Sequence, residues 1–310
     1  MNQAIVYHWW GHASDADPVC NLRTPIIASI ASLRNVSNIP VYVIDVSPDH
    51  CPQNWEDYPA KLNFKIHKQK PHLEKWYSEY TGYQNLSRIF DIARFQNQIP
   101  EEEIIYADSD IFFFTDPTSF ERPTNRFCFN RYNSGYYYYN KTSDTYLKFQ
   151  ELFEAYAITA LNDENFRYVS EQFGDNYDYF VLDETLLKYM ENKHPELFHI
   201  IPAEEHFTIR DLNNVEDINQ VKMFHANGTW VPNKVSKHQY EELYCRGLVC
   251  IIFKELYESI TKLIEPEKFF TVEEIQTYLP KQRSFFDKEF LNRWRDNTNE
   301  KGLAQLDKVI

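Results

Sequence analysis

An apolar run, Ile104-Ile105-Tyr106-Ala107, is broken by Asp108-Ser109-Asp110 and resumes at once as Ile111-Phe112-Phe113-Phe114. Two carboxylates one residue apart in such a run carry a large desolvation cost unless something neutralises them. A hard divalent cation held by carboxylate oxygens is the usual solution, and Mg²⁺ or Mn²⁺ held this way also binds substrate phosphates. The segment therefore points to an enzyme that handles a phosphorylated or nucleotide-linked substrate.

Composition narrows what else could meet the charge of such a substrate. The 310 residues include only seven glycines, which form neither a GxGxxG turn nor a P-loop. A metal and side chains, rather than the amides of a glycine-rich loop, must then face a diphosphate. The formal net charge of −14, with a pI of about 5.2, argues against a nucleic-acid partner. Five cysteines (Cys20, Cys51, Cys128, Cys245 and Cys250) make an odd set without CxxC spacing, expected as reduced thiols with no zinc site and no disulfide framework. Residues 1–7 lack a basic stretch followed by a long apolar one, so no secretory signal is expected. No apolar run reaches the roughly 18 residues of a transmembrane segment. The expected location is cytoplasmic.

Strand-like segments fall at residues 4–8, 40–45, 104–107, 127–130, 136–139 and 197–201. Helical spacing of apolar residues falls at 22–34, 84–97, 143–161 and 178–191. The β-α-β-α-β order predicts an α/β fold with a mostly parallel, twisted sheet flanked by helices. Ligands in such sheets sit beyond the carboxyl ends of strands, where Asp108 and Asp110 fall. From about Ser236 the chain reads as helical, over 236–264, from Thr271 to Pro280 and over 284–295. The expected organisation is a nucleotide-sugar-binding and catalytic domain at 1–235 with a helical C-terminal extension at 236–310 packed on it.

The Asp108-Ser109-Asp110 segment, followed by Thr115-Asp116-Pro117, resembles the DxD region of GT-A-fold glycosyltransferases, of the glycogenin and bacterial lipopolysaccharide galactosyltransferase kind. Three further pieces fit in order over residues 4–232. Ser87-Arg88-Ile89-Phe90 resembles the basic donor-binding helix, and Asn133-Ser134-Gly135 before Tyr136–Tyr139 resembles the N-[ST]-G element. His225-Ala226-Asn227-Gly228-Thr229-Trp230 resembles the H-x-x-G loop. The resemblance implies a Rossmann-like fold, a nucleotide-sugar donor (a UDP-sugar first), Mn²⁺ or Mg²⁺ on its diphosphate, and a carbohydrate or other hydroxyl acceptor. Asp108, Asp110 and His225 are implied as metal ligands, with Asp108 shared with ribose or sugar hydroxyls. Arg88, Ser109, Asn133 and Gly228 are implied at the donor. The chain departs from the pattern twice. The lysine that often follows H-x-x-G is delayed to Lys234, and Asp183-Glu184 stands where relatives often carry Asp-Gln.

Under this reading His225 ligates as a neutral imidazole, which its ordinary pKa permits. Tyr7, His8, Trp9 and Trp10 end the first strand, where a nucleobase would rest, and Asp45 ends the second, within reach of base or ribose. Arg94, six positions from Arg88, does not share its helix face and could pair with Asp91. Asp183 and Glu184 are carboxylates for the sugar: the base for the acceptor hydroxyl in an inverting enzyme, or holders of sugar hydroxyls in a retaining one. First-turn helix acids are the plainer explanation. The aromatic residues around Tyr132–Tyr139 could offer sugar-stacking platforms, at most half of them because alternate strand residues face opposite ways, with the rest core. Three other functions compete. A haloacid-dehalogenase-type phosphatase usually carries its DxD in the first strand, followed by a small residue, and here Ile-Phe-Phe follows. A sugar-phosphate nucleotidyltransferase usually needs a glycine-rich N-terminal loop. A catalytically degenerate glycan-binding domain has no use for an intact acid pair.

Overall fold

The computed structural model describes residues 2–9, 23–47, 58–72, 81–130, 133–162, 182–208 and 214–225. The three expected C-terminal helices, the expected boundary at 235, Trp10, Gly228 and Lys234 lie outside them. The chain divides into two compact units, one drawn from residues 1–13, 39–107 and 121–201, the other from 14–38, 108–120 and 202–310.

The first unit is built on seven strands: β1 (Gln3–Trp9), β2 (Val41–Asp45), β3 (Lys65–Lys68), β4 (Glu103–Ala107), β6 (Phe127–Asn130), β7 (Asn133–Asn140) and β8 (Phe198–Ile200). Their order is β3-β2-β1-β4-β7-β6-β8. Ile5 of β1 lies in parallel register with Val41 on one side and Ile105 on the other. Almost every residue of β1 and β2 is buried, the pattern of parallel strands covered on both faces. This is the expected α/β fold, a mostly parallel sheet with flanking helices. Its antiparallel member is β7, which runs against both β4 and β6. Two residues separate β6 from β7, far too few for a parallel crossover. β7 also begins at Asn133, so the Asn-Ser-Gly element is strand rather than its approach. The edge strand β3 is the tetrapeptide Lys-Ile-His-Lys. Flanking lysines suit an edge, and they also hide the strand from a reading based on apolar runs.

The short helix α2 (Tyr58–Leu62) precedes β3, and helices α3 (Thr81–Phe95), α4 (Asp144–Asn162) and α5 (Leu182–Lys193) pack on one face of this sheet. Leu86, Ile89 and Ile92 of α3 join Phe149 and Phe153 of α4 and Leu187 and Met190 of α5, against Val6, Ile104, Tyr106, Tyr137 and Tyr139. Aromatic stacking dominates this core: Tyr139 lies 4.0 Å from Tyr146 at 5°, and Phe127 lies 4.0 Å from Phe149 at 12°. All four residues Tyr136–Tyr139 are at most 2% exposed. The sugar-platform expectation is therefore corrected: Tyr137 and Tyr139 are core, while Tyr136 and Tyr138 lie under the Arg122 guanidinium.

The tyrosine core gives a pH prediction. Burial pushes the Tyr146 phenol up to about 12 and, reinforced by Tyr146 and Tyr137, raises Tyr139 well above its ordinary value. In the unfolded chain both ionise near about 10, so the unfolded state sheds protons first as pH rises. Their contribution is fully present below about pH 10 and is lost through about pH 12, at about 1.4 kcal/mol per pH unit per tyrosine. Urea midpoints should fall steeply between about pH 10 and about pH 11. A flat profile there would contradict the buried stack.

The second unit holds helix α1 (Arg23–Val36) and a three-stranded sheet of β5 (Ile111–Phe113), β9 (Phe207–Thr208) and β10 (Met223–His225) in the order β5-β10-β9. β10 runs antiparallel to β5 and parallel to β9. The Phe-rich run after the acids is thus a strand of a different sheet from β4. Two serines of α1 hold it. Ser29 donates to the Ile111 carbonyl, and the Phe113 amide donates to Ser32 Oγ at 3.0 Å. Small side chains on this helix face let the strand's main chain come close enough to bond. No helix among the described residues is long and apolar enough to cross a membrane.

Candidate functional site

The acid pair sits in the short turn between two strands. β4 ends at Ala107, the Ile111 amide donates to the Asp108 carbonyl at 3.3 Å, and β5 begins at Ile111. The antiparallel register then sets His225 opposite Ile111, beside the turn. His225 Nε2 lies 3.0 Å from Asp110 Oδ1 and 3.7 Å from Asp108 Oδ2. One ligand atom from each residue falls within 4.8 Å of the others. The imidazole is 2% exposed, whereas the Asp108 and Asp110 side chains are 25% and 16% exposed. The group is therefore anchored on its histidine side and open on its carboxylate side. Two carboxylate oxygens and one imidazole nitrogen, with no thiolate, suit Mn²⁺ or Mg²⁺. Three protein donors would leave further coordination positions of such an ion open to other ligands.

Behind His225 stands a residue that sequence reasoning missed. His206, fully buried, places Nε2 3.2 Å from His225 Nδ1, with ring centroids 5.3 Å apart. Burial pushes the His206 imidazole well below its ordinary range, and a positive charge on His225 would push it the same way. A single histidine in Glu204-Glu205-His206-Phe207 carries no motif that could have flagged it.

In the first unit, Arg88 of α3 is buried rather than solvated. Its Nη2 donates to Ser134 Oγ at 2.6 Å, to the Ser134 carbonyl at 3.2 Å and to Asp183 Oδ2, and its Nη1 donates to the Tyr106 hydroxyl at 3.1 Å. Ser134 Oγ donates to the same Asp183 oxygen at 2.7 Å. The guanidinium also lies over the Tyr106 ring, 5.0 Å from its centroid. Asp183, 1% exposed in the first turn of α5, gains from that helix's dipole as well as from the cation. Glu184 Oε1 accepts from the Ser134 amide at 3.4 Å. Four elements far apart in sequence thus converge on one ion pair.

The remaining expected donor residues are placed less openly. Tyr7 is fully buried, and the His8 side chain is 1% exposed with Nε2 3.0 Å from Asp91 Oδ2. Asp91 is a hub: Ser87 Oγ donates to it at 3.1 Å, the His72 amide at 2.7 Å, and Arg94 at 3.5 Å as its spacing suggested. Neither Tyr7 nor His8 presents an open ring face to a base. Asp45 is also buried. Its Oδ1 accepts from the Ser47 amide at 2.9 Å and faces Lys68 Nζ at 3.6 Å, while its Oδ2 has no hydrogen-bond partner among the described residues. Asn133 Oδ1 accepts from the Gly135 amide at 2.6 Å, folding the Asn-Ser-Gly element. Ser109 occupies the turn between the acids. Asp116 caps a short 3₁₀ turn, accepting from the Thr118 amide at 2.9 Å.

No protein-family pattern matches the chain, and no curated protein sequence does. Glycosyltransferases are among the solved structures that resemble it. Mouse xyloside xylosyltransferase 1 shares 13% identity over 73% of this chain and 98% of its own, with a TM-score of 0.47. The galactosyltransferase LgtC, solved with donor and acceptor sugar analogues, shares 13% over 86% of this chain and all of its own, at 0.48. GlyE from Streptococcus pneumoniae TIGR4 shares 12% over 84% of this chain, at 0.49, and this chain spans 63% of GlyE's length.

Proposed function

We propose that this chain is a metal-dependent glycosyltransferase that moves a sugar from a nucleotide-diphosphate sugar, a UDP-sugar first, to a carbohydrate or other hydroxyl acceptor. The observation that carries the reading is the convergence of Asp108, Asp110 and His225. A strand pairing brings together three side chains of suitable chemistry from positions 117 apart at the extremes, 108 and 225. Mn²⁺ or Mg²⁺ held there would act as a Lewis acid for the charge that builds on a departing nucleoside diphosphate.

The chain's own residues fill the other roles. Asp110 and His225 serve as ligands, and Asp108 serves as a ligand shared with donor hydroxyls. Arg88 holds Asp183 in one orientation, and Asp183 Oδ2 already accepts from Arg88 and Ser134. That occupation favours Asp183 as a fixed acceptor for sugar hydroxyls over a base that must take a proton. Glu184, half-buried beside the Ser134 amide, is the second acid at the sugar. Asp45, Ser109, Asn133, Gly228 and Lys234 are the further residues for the donor nucleotide and its phosphates, with Tyr7 and His8 contributing backbone rather than ring contacts.

UDP with Mn²⁺ should raise the thermal midpoint of the wild-type protein, with neither alone matching the pair. Asp110→Ala should abolish the shift. An equal shift in that variant would remove the metal assignment.

A further inference from the structure

We propose that His206 is a positioning residue for the metal centre: its Nε2 accepts the Nδ1 proton of His225 and so fixes the tautomer and ring plane in which His225 Nε2 faces Asp108 and Asp110. The inference rests on the metal reading above and adds to it a residue that touches neither metal nor substrate.

A histidine that ligates through Nε2 must offer a lone pair there, so a neutral imidazole carries its proton on Nδ1. In His225 that nitrogen lies 3.2 Å from His206 Nε2. With the His225 proton on Nδ1, this contact is a hydrogen bond accepted by His206 Nε2 when His206 carries its own proton on Nδ1. The imidazole here takes the place of the carboxylate, carbonyl or water that usually supports a ligating histidine.

The backbone leaves His206 little freedom to do otherwise. The residue immediately precedes β9, which pairs in parallel with β10 so that Phe207 faces Phe224 and Thr208 faces His225. The His206 amide donates to the Pro202 carbonyl at 3.2 Å, and the side chain is fully buried. The neighbouring Phe207 and Phe224 rings, 5.9 Å apart, lie in the same strand pair. A ring held this way gives His225 a fixed partner instead of mobile water. It offers a nitrogen lone pair without adding negative charge to a centre that already has two carboxylates.

The test uses the full chain and Mn²⁺ alone as probe. Three proteins are compared: wild type, His206→Leu, which removes the acceptor, and His206→Gln, whose Oε1 can stand where Nε2 stood. Calorimetry gives Mn²⁺ affinity, and pulsed EPR of the bound ion reports nitrogen coupling from a ligating imidazole. His206→Leu should bind Mn²⁺ about 10- to 100-fold more weakly with reduced nitrogen coupling, and His206→Gln should recover most of both. Histidine ¹⁵N spectra of the Mg²⁺-loaded wild type, which need no variant to fold, should show both His225 and His206 as Nδ1–H tautomers. Wild-type affinity and coupling in His206→Leu, or an Nε2–H tautomer at His225 in the loaded protein, would overturn the proposal. A wild type that binds Mn²⁺ with no nitrogen coupling, or not at all, would instead overturn the metal reading beneath it.

Discussion

Asp110→Asn should lower sugar transfer from a UDP-sugar by about three orders of magnitude, equivalent to about 4 kcal/mol of transition-state stabilisation. The substitution keeps the shape of the side chain and removes one negative charge from a three-donor group in which Asp110 Oδ1 lies 3.0 Å from His225 Nε2. A charge that develops only as the diphosphate leaves is stabilised in the transition state, so the loss should fall on kcat rather than on KM alone. Asp108→Asn should cost less, because its oxygen stands farther from the imidazole, at 3.7 Å, and excess Mn²⁺ should restore part of it. Groups that act as a unit are not additive, so the double variant should be little worse than Asp110→Asn. Measured donor hydrolysis and transfer rates decide the point. Retention of activity within about tenfold, that is about 1.4 kcal/mol, in Asp110→Asn would count against a catalytic metal.

The second large effect is on stability. Asp183→Leu should destabilise the fold by about 3–5 kcal/mol, because it strands a buried guanidinium without its carboxylate. Both side chains are below 10% exposed, so solvent does little to screen the unpaired charge. The double variant Arg88→Met with Asp183→Leu should recover much of the loss, since two apolar side chains of similar size leave no uncompensated charge. Urea unfolding of the two single variants and the double variant gives the coupling. An Asp183→Leu protein as stable as wild type would mean the ion pair contributes nothing measurable.

Much of the architecture could be read from the chain because it rests on local pattern. Continuous apolar runs at 4–8, 41–45 and 104–107 are strands buried on both faces, and the spacing of Leu86, Ile89 and Ile92 marks a helix face. The acid pair announced itself because a carboxylate in an apolar run is anomalous. The rest is set by long-range pairing. The union of Arg88 with Asp183 joins residues 95 apart, and neither carries a mark of the other. His206 enters the site only through the β9–β10 register. Lys65–Lys68 is a strand because β2 offers it an edge, not because its own residues favour one. The four consecutive tyrosines misled in the opposite direction. Their abundance suggested an open surface, yet stacking on α4 and contact with Arg122 hide them all.

The serine contacts between α1 and β5 have a consequence for how the protein tolerates change. The strand that follows both acids is tied to a helix about eighty positions earlier, through hydroxyls at 29 and 32, as well as to β10. Widening either serine by a few methylenes would pry that strand outward and displace the carboxylates, with no change in the acid pair itself. Sequence drift in that helix, and any attempt to redesign it, is thus constrained by the geometry of two carboxylates elsewhere on the chain.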